Sequence, residues 1–253
     1  MFHDTRFDPL NRFNGLAATY ANYRPNYPSL ALAHITQRQS WPLVIADIGC
    51  GTGILSRALA ESGCTVIGID PNNSMLDEAR KIVHPHVDYR LGQAEKTGLD
   101  SESVNAVVVA QAFHWFQPHL ALAEFYRILR NNSWVTLLWN EVDLTDPFSA
   151  EYWTVMQRFS TAPEVVHTPH SQTGLALLQC EQFTQGCHFS IKNEQILSEN
   201  GLIGRAFSAS YAPREPAQTC AMSDSLSALY QKYSLDDHVV LSYKVEIFQA
   251  HKD

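Results

Sequence analysis

Val44-Ile45-Ala46-Asp47-Ile48-Gly49-Cys50-Gly51-Thr52-Gly53 decides the fold. Residues 44–48 are apolar apart from Asp47, the composition of a strand covered on both faces of a parallel sheet. Three glycines at alternate positions follow. Glycine accepts positive φ and carries no Cβ, so the backbone can turn sharply and a ligand can lie against it. Ile54, Leu55, Ala58 and Leu59 then recur with a helical period, and Gly63 ends that helix. A second apolar run, 66–70, closes on Asp70. Strand, glycine turn, helix, strand and terminal acid make half of a nucleotide-binding βαβ unit. Asp70 is placed to accept hydrogen bonds from both ribose hydroxyls of an adenosine.

The spacing also selects among ligands. A dinucleotide site requires G-x-G-x-x-G with the pyrophosphate on the helix N-terminus. Here the pattern is Gly49-x-Gly51-x-Gly53 and position 54 is Ile. Asp47 would repel a pyrophosphate and attract an ammonium or a sulfonium. The ligand that suits this set is S-adenosylmethionine, which has a ribose, a cationic sulfur, an ammonium and no phosphate. D-x-G-x-G-x-G followed by a helix and an acidic strand end resembles the class I methyltransferases. That resemblance implies an α/β, Rossmann-like fold: a seven-stranded, mostly parallel sheet with an antiparallel last strand and helices on both faces. It also implies a helical lid from the N-terminus and from C-terminal insertions. One domain is expected over 1–253, with 1–39 as the N-terminal lid segment. Residues 40–145 would be the cofactor-binding core and 146–253 the cap helices and last two strands.

The 253 residues carry 18 basic and 26 acidic side chains, a net charge of −8. No basic run interrupts this balance, so a nucleic-acid partner is not expected. There is no charged start followed by an apolar segment and no apolar run of about 18 residues. A soluble, cytoplasmic chain without a membrane partner is expected, as monomer or homodimer. The five cysteines show no C-x-x-C spacing, which fits reduced thiols rather than a disulfide frame or a zinc site. No metal is expected. His84-Pro85-His86 and His167-Thr168-Pro169-His170 read as solvated loops.

Further along, Tyr20-Ala21-Asn22-Tyr23-Arg24-Pro25-Asn26-Tyr27-Pro28 holds too much proline for a helix interior and reads as a turn before a helix at Ser29. It resembles the segment before the core in small-molecule enzymes of the trans-aconitate methyltransferase type. The resemblance implies that this segment folds over the cofactor, with Tyr20 and Arg24 at its methionine end. Gly49, Cys50, Gly51, Gly53, Asp70 and Pro71 line the cofactor on the same reading, and Met75 packs on the adenine. Ser74 is the expected cap of the helix that follows Asp70, with Met75, Leu76, Ala79, Ile82 and Val83 buried. After a third strand at 87–91, Gln93, Ala94 and Glu95 offer the adenine its polar contacts.

A fourth strand, 104–110, ends in Gln111-Ala112-Phe113-His114-Trp115-Phe116. Ligands bind beyond the carboxyl ends of strands in open α/β sheets, so the methyl acceptor is expected here. Asn/Asp-Pro-Pro-Tyr, the mark of the base-methylating enzymes, is absent. Phe-His-Trp-Phe again resembles the trans-aconitate group. It implies Gln111 beside the cofactor, Phe113 and Trp115 as walls, and His114 and Trp115 as the catalytic pair, with His114 donating to a carboxylate or carbonyl. A helix from about 120 to 130 precedes a fifth strand at 134–139, and Asp146-Pro147 starts another helix, to 159. A helix over 172–183, a strand over 188–191 and a last strand over 239–249 complete the expected elements. Between the last two strands, Ser198 caps a helix from which Arg205 and Tyr211 would hold an anionic substrate. The expected activity is methyl transfer from S-adenosylmethionine to a small molecule, most naturally a carboxylate oxygen, which needs no base. A phenol, quinone or amine acceptor, or a cofactor binder without catalysis, is the alternative.

Overall fold

The computed structural model describes residues 15–37, 41–163 and 169–253. Residues 1–14 of the expected lid, and His167 and Thr168, lie outside them. The described strands are β1 (Val44–Ile48), β2 (Thr65–Asp70), β3 (Val87–Leu91), β4 (Val104–Ala110), β5 (Leu129–Val142), β6 (Thr184–Leu197) and β7 (Val239–Lys252). They form one sheet in the order β3-β2-β1-β4-β5-β7-β6. Strands β1 to β5 pair in parallel. β7 runs antiparallel between β5 and β6, as the family resemblance implies. The strand order reverses between β1 and β4, and that switch point is where an open sheet leaves a crevice.

The described helices are α1 (Ala17–Tyr23), α2 (Ser29–Thr36), α3 (Ile54–Glu61), α4 (Asn73–Arg80), α5 (Pro118–Ile128), α6 (Pro147–Phe159), α7 (Leu175–Leu178), α8 (Glu199–Phe207) and α9 (Pro216–Tyr233). Alternate residues of each central strand serve opposite faces. Val107 and Val109 of β4 join Phe125 of α5 and Leu177 of α7 in one core. Ala106 and Val108 join Ile35 of α2 and Leu59 of α3 in the other. A third core forms where α6, α8 and α9 meet the start of β7, around Tyr152, Leu202, Leu226 and Leu241. Among the described residues no helix is long and apolar enough to cross a membrane.

Several local expectations give way to the structure. Residues 17–23 are helical, and the turn begins only at Arg24, which Pro25 forces into an extended conformation (ψ 144°). Asn72, not Ser74, caps α4: its Oδ1 accepts from the N–H groups of Ser74 (2.9 Å) and Met75 (3.3 Å). That helix stops at Arg80, so Ile82 and Val83 are exposed rather than buried. β5 begins directly at Leu129 where the helix ends, and its pairing with β4 is interrupted between Leu129 and Trp134, with Asn132 at positive φ. The helix expected over 172–183 is a 3₁₀ turn, His170–Gly174, and the single turn of α7. β6 reaches from 184 to 197, well beyond the expected segment. Helix α9 was not foreseen. Its signals are a Glu215 cap accepting from the Gln218 N–H (3.0 Å), Pro216 at the first position, and buried Met222, Leu226 and Leu229.

Candidate active site

The turn after β1 is built on positive φ at Gly49 (72°), Gly51 (54°) and Gly53 (76°). The Gly49 and Cys50 N–H groups donate to the Ile69 carbonyl (2.7 and 3.1 Å), tying the loop to β2. A Cβ on Gly49 would lie 2.5 Å from Ala112 Cβ, whereas one on Gly51 would meet no atom within 4 Å. The middle glycine therefore faces open space beside the Asp70 carboxylate. Asp70 Oδ2 accepts from the Gly51 N–H and Oδ1 from the Asn72 N–H, both at 2.8 Å. Each oxygen keeps a lone pair for a further donor. Cys50 is buried against β2, and burial, with the Asp47 and Asp70 charges adding, pushes its thiol well up. It stays protonated, so its part in the crevice is a wall and not a nucleophile.

Asp47 is fully buried at the end of β1. Its Oδ2 accepts from Ser56 Oγ at 2.5 Å, while Oδ1 has no hydrogen-bond partner. Burial, with the Asp70 charge adding, pushes the carboxyl up to about 7 against the Ser56 hydrogen bond. A buried carboxylate with one unsatisfied oxygen awaits a cation or a donor. Asp47 lines a narrow crevice together with Gly49, Gly51, Tyr27, Arg24 and Gln111. Burial, with Tyr20 and Asp47 beside it, holds the Tyr27 phenol well above the usual value. Gln111 sits at φ 60° immediately past β4, in a backbone region that non-glycine residues rarely take.

A second cavity, of about 250 Å³, opens beyond the carboxyl ends of β4 and β5. It shares Tyr20, Arg24, Gln111, Asn140 and Arg205 with the crevice. His114, Trp115, Trp153, His170 and Tyr211 complete much of its wall. Three nitrogens on the shared boundary are buried without partners: Arg24 Nε, Asn140 Nδ2 and Arg205 Nη1. Arg24 lies over the Tyr20 ring (4.6 Å), and its Nη2 donates to the Ser208 carbonyl (3.3 Å). Asn140 is oriented by Asn193, whose Nδ2 donates to its Oδ1 (2.9 Å). Arg205 donates through Nε to the Tyr243 hydroxyl (2.9 Å), which donates in turn to Gln195 Oε1 (3.2 Å). Burial opposes the Arg205 charge and the Tyr243 hydroxyl that accepts from Nε favours it, so the guanidinium stays protonated.

Residues 46–137 match the methyltransferase domain family. The chain is 37% identical over 139 residues to an uncharacterized methyltransferase of Mycobacterium tuberculosis. That alignment spans 55% of this chain and 56% of the mycobacterial protein, little more than half of each. An uncharacterized methyltransferase-like protein of Schizosaccharomyces pombe is 29% identical over 254 residues, 96% of both chains. A proposed type II methyltransferase from Anaeromyxobacter dehalogenans shares the fold, with a TM-score of 0.67 at 23% identity over 90% of this chain and 98% of that one. Residues 46–137 of this chain are thus similar to a methyltransferase domain, carried on a methyltransferase-like fold.

The family's cofactor fits the features of the crevice. Open space at Gly51, the Asp70 lone pairs, the unsatisfied Asp47 Oδ1 and the unsatisfied Arg24 Nε would meet a ribose, an ammonium and a carboxylate. Tyr20, Arg24, Asp47, Gly49, Cys50, Gly51 and Gln111 stand together around the crevice. Gly53, Asp70, Pro71, Met75, Gln93, Ala94 and Glu95 line neither cavity: Gly53 packs against Tyr89 and Arg57, Met75 is buried in α4, and the others lie at the end of β2 or in the loops after β2 and β3. Glu95 is already engaged, since its Oε1 accepts from the Gln117 N–H (2.8 Å) at the head of α5. Among the described residues no group of His, Cys, Asp and Glu side chains is arranged to hold a metal.

The acceptor-side expectations divide. His114, Trp115, Arg205 and Tyr211 do line one cavity. Phe113 does not: it is fully buried against Phe116 and Phe125. Residues 113–115 form a 3₁₀ turn, and three residues per turn swing successive side chains to different sides. His170 corrects the solvated-loop reading. Its ring stacks on His114, with centroids 4.0 Å apart and planes 9° off parallel. Glu141 holds that turn in place by accepting from the Ser171 N–H (3.0 Å). Burial raises the Glu141 carboxyl, with Glu246 adding, against hydrogen bonds from Ser171 and the His170 backbone. Tyr27, Asn140, Glu141, Trp153 and His170 are among the site residues that the sequence reading passed over. Only Asn140 and Glu141 carried a signal, as polar residues at the carboxyl end of a buried strand.

Proposed function

We propose that this protein transfers the methyl group of S-adenosylmethionine to an oxygen of a small carboxylic acid and releases the methyl ester. Charge counting on the shared boundary carries the reading. One buried nitrogen each of Arg24, Arg205 and Asn140 is an unpartnered donor there, and Asp47, within the crevice, presents one unpartnered acceptor. The cofactor's ammonium suits Asp47, and its single carboxylate suits Arg24, at the C-terminal end of α1. Arg205 Nη1 is then left buried without a partner unless the acceptor is itself an anion. The second cavity argues for catalysis, since a protein that only bound the cofactor would need the crevice alone.

When bound, the cofactor supplies a methyl on a cationic sulfur; its C–S bond breaks as the new C–O bond forms, the two charges cancel and no proton moves. The chain's part is to position and to exclude water. Arg205 and Asn140 orient the carboxylate, His114 donates to it, and Trp115 and Trp153 cover it. The test is incubation with isotopically labelled S-adenosylmethionine and matched panels of small carboxylic acids, phenols and amines, read by mass. Labelled methyl esters are expected. Methylation confined to phenols or amines overturns the acceptor class, and labelling of nothing in any panel overturns the activity.

Asp47 gives this reading a pH signature. Its carboxyl sits at about 7 in the free protein. A cationic ligand requires the ionised form, so affinity rises with pH up to about 7 and then levels off. Below that point the dissociation constant for S-adenosylmethionine should climb by up to about tenfold per pH unit. Calorimetry from pH 5.5 to 8.5 measures it. Asp47→Asn should bind weakly with no slope through this range, and a wild-type curve that is flat below pH 7 rules out Asp47 as the ammonium's partner.

A further inference from the structure

We infer that Trp139 fixes the tautomer of His114 and makes it a hydrogen-bond donor to the acceptor, not its general base. Trp139 lies on β5 and is fully buried, packed edge-on against Phe248. Its Nε1 donates to His114 Nδ1 at 3.4 Å. An indole nitrogen can only donate. The facing imidazole nitrogen must therefore keep its lone pair, which leaves the single proton of neutral His114 on Nε2. Protonating Nδ1 would set two donors face to face in a buried place, where the indole N–H has no water to turn to.

The surroundings hold the ring in that role. His170 stacks on one face of His114 (4.0 Å), and Trp115 tilts against it (centroids 4.8 Å). The charged groups lining the same cavity are Arg24 and Arg205, which disfavour an imidazolium, and Glu141, which favours one. Burial raises the Glu141 carboxyl, and hydrogen bonds from Ser171 and the His170 backbone occupy it, so its pull on His114 is blunted. Trp139 is thus a positioning residue that acts through His114. Resting on the activity proposed above, the consequence is one of substrate class. Acceptors that arrive already ionised are served, and acceptors that must lose a proton to Nε2 are refused.

Long-range proton–nitrogen correlation spectra of the ¹⁵N-labelled full chain test this without any turnover, with His114 assigned by its loss in His114→Gln. In the wild type, Nε2 should be protonated and Nδ1 bare from pH 6 to 8, with no titration in that range. In Trp139→Phe, His114 should titrate with a midpoint near the ordinary histidine value of about 6.5. A proton on Nδ1 in the wild type, a wild-type midpoint at or above about 6.5, or a Trp139→Phe spectrum identical to the wild type overturns the inference. Should Trp139→Phe fail to fold, the wild-type spectrum decides alone. A confirmed tautomer alongside no ester formation removes the proposed activity and leaves the role of Trp139 standing.

Discussion

Arg205→Met should lower kcat/KM for the esterified acid by about 10²–10³-fold, or about 3–4 kcal/mol. Methionine keeps the length and most of the volume of arginine, so the third core should close around it. What disappears is the charge and the unpartnered Nη1 on the boundary of the two cavities. The Tyr243 hydroxyl also loses the Nε donor, though it can still donate to Gln195. The cofactor's dissociation constant should move by only a few-fold, because Arg24 is assigned to its carboxylate. Arg205→Lys should recover part of the rate, since the charge returns without the planar fork. Steady-state kinetics beside calorimetry separates the alternatives. If Arg205→Met instead loses cofactor affinity and Arg24→Met loses the acceptor, the two guanidiniums have exchanged roles. An unchanged kcat/KM removes the anionic-acceptor argument.

The parts of this site that were legible in the sequence are those fixed by local chemistry. Asp47, the alternating glycines and Asp70 fall within two strands and a turn, where backbone conformation and hydrogen-bond chemistry dictate residue type. The cofactor half could therefore be read from spacing, and the antiparallel last strand through the family resemblance. The acceptor half is assembled from six separate stretches: α1 and the residue after it, residues 111–115, the end of β5, α6, residues 169–170, and α8 with the residues that follow it. No spacing rule links Asn140 to Arg205, or His114 to His170, because sheet register and loop packing bring them together. Phe113 shows the limit from the other side. Its aromatic neighbours suggested a pocket wall, but one 3₁₀ turn sends it into the core while His114 faces the cavity. Helix α9 was missed because its apolar positions are few and its polar positions many, so its periodicity is faint even though its cap is plain.

The glycine turn allows stability and binding to be separated by substitutions two residues apart. Gly53→Ala meets two obstacles. The residue has φ 76°, and a Cβ there would lie 2.0 Å from the Tyr89 hydroxyl and 2.8 Å from an Arg57 nitrogen. Left-handed backbone costs a non-glycine residue about 1–2 kcal/mol, and forced overpacking typically adds about 1–3 kcal/mol. Tyr89 is pinned by the Arg57 contact and by its packing over Gly68, so it cannot swing aside freely. Gly53→Ala should therefore lower unfolding stability by about 3 kcal/mol or more. Gly51→Ala has the same backbone cost but no atom within 4 Å of the new methyl. It should lose only about 1–2 kcal/mol of stability. Its methyl instead enters the space beside Asp70 that the ribose requires, and S-adenosylmethionine affinity should fall by at least about tenfold, roughly 1.4 kcal/mol. Urea unfolding and calorimetry on the two variants read the two effects independently. A Gly51→Ala protein that binds the cofactor at wild-type strength would mean that the cofactor lies elsewhere, because that open space is the feature that marks the turn as a cradle.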